Sequence, residues 1–106
     1  ILTQNPDLDA IFACNDNMAL GAVEAIRMTD VSKLGKIIVI GADGTDAAYD
    51  SIAKGELTGT VDQFPQINGE IAMEVALRML AGQPIPRVVR TPVELIHLGN
   101  IESFVN

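Results

Sequence analysis

Apolar residues occur along the chain in short runs, and polar residues or glycine separate one run from the next. The runs at residues 9–13, 37–41 and 57–61 predict three strands, because each is short and bounded by turn-forming residues. Residues 37–40 are β-branched without polar alternation. We therefore expect the second strand to be buried on both faces, as in a parallel sheet, and the first strand to be buried as well.

Apolar residues also recur at helical spacing and predict three helices, one after each strand. Asp16 is expected to cap the first helix and Thr45 the second, and Gly55 to end the second in a left-handed conformation. Pro65 suits the first position of the third helix, whose apolar stripe over residues 65–80 is the strongest in the chain. The residues expected to face the core in the first two helices are Ala19, Leu20, Val23, Ala25, Ile26, Ala48, Ile52 and Ala53.

The end of the chain returns to extended structure. Residues 87–91 and 93–96 are predicted to be extended, and Pro92 between them indicates an edge or a crossing point. The alternation of strands and helices predicts an α/β fold with a parallel sheet. In such sheets, ligands bind at the carboxyl ends of the strands.

Polar side chains follow each predicted strand at that end: Asn15 and Asp16, then Asp43, then Asp62 and Gln63. Carboxylates accept hydrogen bonds and amides both donate and accept, so a ring of these groups suits the hydroxyls of a sugar. The same residue types are common helix caps and turn residues, which is the competing interpretation. We assign capping to Asp16, and Asn15, Asp43 and Gln63 are the better candidates for binding ligand because capping does not need all three.

The composition and charge of the chain restrict the classes of molecule it can bind. The chain has 106 residues, 48% of them apolar, which suffices for one small domain. The net charge is −7, and residues 1–62 carry −6 of it. Such a surface disfavours nucleic acid and anionic lipid, and no apolar run approaches the ~20 residues of a membrane span. The expected partner is neutral or another protein.

Cysteine and histidine give little catalytic or metal chemistry. Cys14 is the only cysteine, so neither an internal disulfide nor a Cys-based zinc site can form within the chain. It has no basic sequence neighbour, and we expect a buried, small apolar side chain rather than a reactive thiol. His97, the only histidine, has no partner in the sequence pattern for a metal site. No cofactor is expected.

Several segments, taken in their order and spacing, resemble the ribose/galactose-type branch of the type I periplasmic sugar-binding proteins. They are residues 5–13, 15–22, 39–45, 55–65 and 92–96. The resemblance implies the type I fold and the C-terminal third of a two-lobed receptor. Consistent with this, residues 1–6 resemble the last turn of a helix followed by a proline stop, so the chain is expected to be truncated at its start.

The resemblance also implies a division between lobes. Residues 1–62 would belong to the C-terminal lobe, residues 63–94 would cross to the N-terminal lobe as a helix plus a strand, and residues 95–106 would return. Hinge closure around a ligand between the lobes would be the signal that a transporter detects.

The resemblance implies, motif by motif, that the sugar-binding residues are Asn15 of N-D-x-M-A-L, Asp43 of G-x-D-G-T, and Gln63 before F-P. Cys14 and Phe64 are adjacent candidates for lining the cleft. Ala42 is a third, and it stands where many relatives carry an aromatic residue that can stack on a sugar. The identity of the sugar therefore stays open.

The function implied is the solute-binding component of an ABC importer. It would be non-enzymatic and periplasmic, or extracellular and membrane-anchored, with a neutral monosaccharide and a membrane permease as its partners. One alternative is the effector-binding domain of a LacI-type regulator, which shares the fold but needs an upstream helix-turn-helix. Another is a flavodoxin-like phosphotransfer domain with magnesium held by Asp16 and Asp43. The sequence shows no nucleophile–base pair to support it.

Overall fold

Four strands form one sheet in the order β1-β2-β3-β4, and the computed structural model describes residues 1–105. The strands are β1 (Ala10–Phe12), β2 (Ile38–Asp43), β3 (Gly59–Asp62) and β4 (Glu94–His97). The helices are α1 (Asp16–Thr29), α2 (Asp46–Ala53) and α3 (Pro65–Leu80), with short 3₁₀ turns at Val31–Lys33 and Ile101–Ser103. Strands β1 to β3 are parallel and β4 is antiparallel to β3. The α/β class is confirmed, and only the last strand departs from the parallel arrangement.

The core lies on one face of the sheet, between the sheet and the helices α1 and α2. Val39 of β2 and Ile96 of β4 are fully buried there, and Ile52 of α2 packs in the same cluster. These are the large side chains whose burial stabilises the fold, at about 1.5–3 kcal/mol each. Most of the predicted core positions of α1 and α2 are confirmed. Ala25 and Ala53 are exposed, because they lie to the side of the stripe that contacts the sheet.

The opposite face of the sheet is open, which makes two of the sequence predictions wrong. Phe12 of β1 is 73% exposed, and Ile38 of β2 is 50% exposed, so neither strand is buried on both faces. Leu95 of β4 is 46% exposed on the same sheet. No described element of residues 1–105 covers these apolar side chains. An unbroken β-branched run predicts burial, but it does not identify the layer that provides it.

The helix boundaries follow local chemistry. Thr45 caps α2 by accepting a hydrogen bond from the Ala48 amide, as predicted. Gly55 has a φ of 72°, the left-handed conformation expected just after α2. Asp16, however, does not cap α1. Asn15 occupies that position and Asp16 is the first helical residue.

Helix α3 begins at Pro65 as predicted, but none of its residues is buried. Its apolar side chains Met73, Leu77 and Leu80 are all more than half exposed. The chain has a radius of gyration of 17.8 Å, against about 13 Å for a compact domain of this size. Residues 81–93, which include the stretch expected to be extended at 87–91, contain no strand and are exposed.

The segment that contains α3 leaves and re-enters the sheet at one point. Asp62, the last residue of β3, is paired with Glu94, the first residue of β4. Residues 63–93 therefore form an excursion whose two ends lie on neighbouring antiparallel strands. Within residues 1–105, neither α3 nor another helix combines the length and apolar character that crossing a membrane requires.

The exposed apolar surface leads to a first prediction. A protein consisting of residues 1–106 alone should associate in solution and unfold at low temperature, because α3 and the open sheet face leave much of their apolar area exposed. Light scattering after size-exclusion chromatography measures the association, and calorimetry measures the unfolding. A monodisperse monomer with sharp, cooperative unfolding would contradict this expectation.

Candidate ligand-binding site

The three residues predicted to bind ligand lie along one edge of the sheet. The β2–β3 register pairs Asp43 with Asp62, so Gln63 directly follows the residue opposite Asp43. The β1–β2 register pairs Phe12 with Ile40, and three further residues along each chain lead to Asn15 and Asp43. Adjacent strands lie about 4.8 Å apart. The sheet therefore brings the three polar residues to neighbouring positions at the carboxyl ends of β1, β2 and β3.

Asp43 and Gln63 line one open groove together with Pro65 and Asn68. Both side chains are exposed, and Asn15 is half-buried and does not line this groove. Asn68 was not predicted, since it is one polar residue within a helix whose motif ends before it. Its Nδ2 donates to the backbone oxygen of Gln63 at 2.7 Å, which connects the first turn of α3 to the end of β3.

Asn15 caps a helix with its side-chain oxygen and also presents its side-chain nitrogen at the sheet edge. Its Oδ1 accepts from the Met18 amide at 2.9 Å, so it caps α1. The Nδ2 group makes no hydrogen bond to the described residues, which leaves a donor at the sheet edge. The cap also holds the side chain in one orientation, because its oxygen is engaged by the helix end.

The turn after β2 has an unusual backbone. Asp43 has a φ of 121° and Gly44 a φ of 76°, so two successive residues have positive φ. For a residue other than glycine this conformation costs about 1–3 kcal/mol and persists only where the surroundings enforce it. The strained turn places the Asp43 carboxylate in the groove. Strain of this kind is concentrated at binding sites.

The carboxylate of Asp16 lies beneath this turn and is fully buried. Its Oδ2 accepts from the amide of Thr45 at 2.8 Å and from the Thr45 hydroxyl at 3.0 Å. Its Oδ1 accepts from the hydroxyl of Thr60 at 2.6 Å. The predicted capping role is therefore wrong. Burial without a cation would be costly, so the carboxylate instead takes hydrogen bonds from two neighbouring elements.

A second carboxylate, that of Asp62, lies on the other side of the turn and is 6% exposed. It accepts from the Tyr49 hydroxyl at 2.6 Å and from the Phe64 amide at 2.7 Å. These bonds tie α2 and the start of the excursion to the end of β3. Sequence analysis placed Asp62 at a strand end without assigning it a role.

Two glycines of the G-x-D-G-T motif make room for these carboxylates. A Cβ at Gly41 would approach the Asp16 Oδ1, and one at Gly44 would lie within 2.6 Å of the Asp62 carboxylate oxygens. Real Cβ atoms are not found so close to such atoms, so any side chain there would displace the carboxylates. The motif is therefore explained by packing as well as by the conformation of the turn.

Burial raises the pKa of the Tyr49 hydroxyl, and the hydrogen bond to the Asp62 carboxylate raises it further. Both effects act against the charged tyrosinate, the first by desolvation and the second by proximity to a negative charge. The hydroxyl therefore stays protonated and remains a donor to Asp62 at neutral pH.

The three predicted cleft-lining residues have different surroundings. Cys14 is exposed, so the expectation of a buried side chain is wrong; it lies in the bend between β1 and α1, outside the core. Ala42 is half-buried. Phe64 has a φ of 47° and its ring stacks on that of Phe104 with centroids 6.1 Å apart, at the point where the excursion leaves the sheet.

The residues do not form the magnesium site considered from the sequence. Both oxygens of the Asp16 carboxylate are engaged by threonine donors, while the Asp43 carboxylate projects into the groove. Within residues 1–105, no three His, Cys, Asp or Glu side chains come together as a metal-binding group. The arrangement is suited to hydrogen bonding with a polar, uncharged molecule.

Comparison with known proteins gives consistent results. The family model of the periplasmic binding protein domain matches residues 1–84. The ribose import binding protein RbsB of Bacillus subtilis is 42% identical over 95 residues, which are 90% of this chain and 30% of that protein. The D-ribose/D-allose-binding protein of Pseudomonas aeruginosa is 39% identical over 100 residues, 91% of this chain and 31% of that protein.

Among solved structures, an ABC transporter periplasmic solute-binding protein from Actinobacillus succinogenes with bound D-allose superposes with a TM-score of 0.87 and 36% identity. The match covers 96% of this chain and 35% of that protein. The chain thus spans about a third of the length of the relatives it matches.

The glycine packing leads to a second prediction. Gly44→Ala should lower the free energy of unfolding of the full-length protein by about 1–3 kcal/mol, because alanine is strained at this φ and its Cβ displaces Asp62. Gly21→Ala is the matched control. Gly21 lies within α1 with open space around it, so the same change should stabilise by about 0.5–1 kcal/mol. Urea denaturation measures both, and equal effects of the two substitutions would refute the packing argument.

The raised pKa of Tyr49 gives a third prediction, for alkaline pH. An unfolded tyrosine ionises near pH ~10, whereas the folded one holds its proton beyond that. Its contribution to stability is therefore fully present below about pH 10 and is lost as the pH rises toward the folded pKa. Tyrosinate absorbance should show Tyr49, identified by comparison with Tyr49→Phe, ionising above the usual range. Ionisation near pH ~10 in the folded protein would contradict this.

Proposed function

This chain belongs to the periplasmic binding protein family, in its type I sugar-binding branch, and we propose on that premise that it is part of the solute-binding component of an ABC importer. The ligand we propose is a neutral monosaccharide. The observation that carries the proposal is the groove at the carboxyl ends of β2 and β3, into which Asp43 and Gln63 project together. Ligands of open α/β sheets bind at this end.

The donors and acceptors at the edge match a polyhydroxylated ligand. The Asp43 carboxylate accepts hydrogen bonds only, the Gln63 amide donates and accepts, and Asn15 offers its Nδ2 as a donor. A sugar hydroxyl can donate to the first group and accept from the others. The net charge of −7 disfavours an anionic ligand, because an anion would be repelled as it approached.

The relatives provide the first candidates for the sugar. By their names, two of the relatives described above bind ribose or allose, and the Actinobacillus protein holds D-allose. We extend these sugars to this chain as the first ligands to test. Ala42 provides no ring for stacking on a sugar face, so this contact would have to come from another residue.

We further propose that residues 1–62 belong to one lobe, residues 63–94 cross to a second lobe, and residues 95–106 return. The pairing of Asp62 with Glu94 supports this proposal, because it places the outward and return crossings side by side. So does α3, which has no buried residue of its own and would pack on the second lobe. Rotation about these two crossings would close the lobes around the sugar, and a membrane permease would recognise the closed form. The protein would act in the periplasm, or outside the cell on a membrane anchor.

The effector domain of a LacI-type regulator is the alternative. It would bind a small molecule at the same sheet edge, so the groove alone does not discriminate between the two. The names of the relatives favour transport. A helix-turn-helix in the sequence upstream of these residues would instead support the regulator. Neither function involves catalysis.

The test is a thermal-shift screen of the full-length protein against D-ribose, D-allose and other neutral monosaccharides and polyols. A ligand at a hundred times its dissociation constant adds about 2.7 kcal/mol of stability, which a melting curve resolves. Asp43→Ala should abolish that shift, since it removes the carboxylate that accepts hydrogen bonds from sugar hydroxyls.

Asp50→Ala is the control, because Asp50 is an exposed carboxylate on α2 that lies outside the groove. It should retain the shift. Undiminished affinity of Asp43→Ala in a calorimetric titration would disprove the assigned site, and the absence of a shift with every compound would reduce the conclusion to the family and its fold.

A further inference from the structure

We propose that Asp16 is a positioning residue for ligand binding: its buried carboxylate holds the turn that presents Asp43 and keeps it in register with Asn15. This inference rests on the proposed function of the groove. Asp16 does not line the groove and is fully buried, so it acts through its neighbours rather than by touching the ligand.

The carboxylate contacts the turn both directly and through Thr60. Directly, it accepts from the amide and the hydroxyl of Thr45, two residues after Asp43. Indirectly, the Thr60 hydroxyl donates to Asp16 and itself accepts from the Gly44 amide at 3.3 Å. Both backbone amides that follow Asp43 are therefore oriented by one carboxylate.

These hydrogen bonds explain how the strained conformation of the turn is maintained. A φ of 121° at Asp43 persists only if neighbouring contacts enforce it. Hydrogen bonds to a charged acceptor are about twice as strong as neutral ones, and these are shielded from water. If they are lost, we expect the turn to relax and the Asp43 side chain to leave its orientation toward the groove.

Asp16 also links the turn to two other parts of the edge. It is covalently next to Asn15, and Thr60 lies on β3 three residues before Gln63. One carboxylate thus connects the end of β1, the turn after β2 and the interior of β3. Within residues 1–105 the Asp16 carboxylate accepts hydrogen bonds from hydroxyl and amide groups and forms no ion pair with a cationic side chain.

The test begins with Asp16→Asn in the full-length protein. Asparagine has the same shape, but its amide nitrogen cannot accept the bonds that the carboxylate accepts. Titration calorimetry with D-ribose and D-allose should show affinity reduced tenfold or more for the sugar that the wild type binds. Val23→Ala is the control: Val23 is a buried residue of α1 with no polar role, so it should lower stability while leaving affinity within twofold.

A double-mutant cycle separates positioning from general damage to the fold. If Asp16 acts through the orientation of Asp43, then Asp16→Asn combined with Asp43→Asn should bind no more weakly than Asp43→Asn alone. Thr45→Ser, which keeps the hydroxyl, should bind like the wild type, whereas Thr45→Val should lose affinity. Multiplicative losses in the cycle, or unchanged affinity of a folded Asp16→Asn, would overturn the proposal.

Amide hydrogen exchange tests the role of Asp16 without ligand. It therefore applies even if neither sugar binds, an outcome that would count against the proposed function alone. Amide hydrogen exchange at Gly44 and Thr45 should accelerate tenfold or more in Asp16→Asn, with no change at Val39 in the core strand. Should that variant not fold, Thr60→Val removes the bridging hydroxyl and should accelerate exchange at Gly44. Unchanged exchange at these amides would show that Asp16 does not hold the turn.

Discussion

A carboxylate that is fully removed from water must receive hydrogen bonds, and the candidate site of this protein is arranged around one such group, that of Asp16. The threonines at positions 45 and 60 supply the donors. Gly41 has no side chain because a Cβ there would collide with the carboxylate. The end of β1, the turn after β2 and the interior of β3 are thereby held at fixed distances, which is what a binding edge requires.

A second carboxylate plays a comparable role where the excursion leaves the sheet. Asp62 orients the Phe64 amide and accepts from Tyr49, so the end of β3 is tied both to α2 and to the first crossing. The proposed binding edge and the proposed hinge are therefore adjacent at the end of β3. In a receptor that closes around its ligand, a contact made at Gln63 would act on the first residue of the proposed crossing itself.

Elements with strong local signals were predicted well, and those that depend on partners were not. Pro65 and Gly55 mark helix ends through their own backbone preferences, so the sequence was sufficient for both. Residue type alone could not distinguish Asn15 from Asp16 as the cap of α1, since both types favour that position. The structure decides in favour of Asn15, because the threonines across the sheet engage Asp16.

Residue order and local spacing by themselves determined the α/β class, the family resemblance and the placement of Asn15, Asp43 and Gln63 at strand ends. Hydrophobic periodicity and polar residues at strand ends are local properties, so both can be recognised in the sequence. Only the tertiary structure decided that β4 is antiparallel and that Asp16 is a buried acceptor. Both depend on contacts between residues that are far apart in the chain. Asp16 and Thr60, for example, are 44 positions apart, and no local sequence pattern encodes a contact between them.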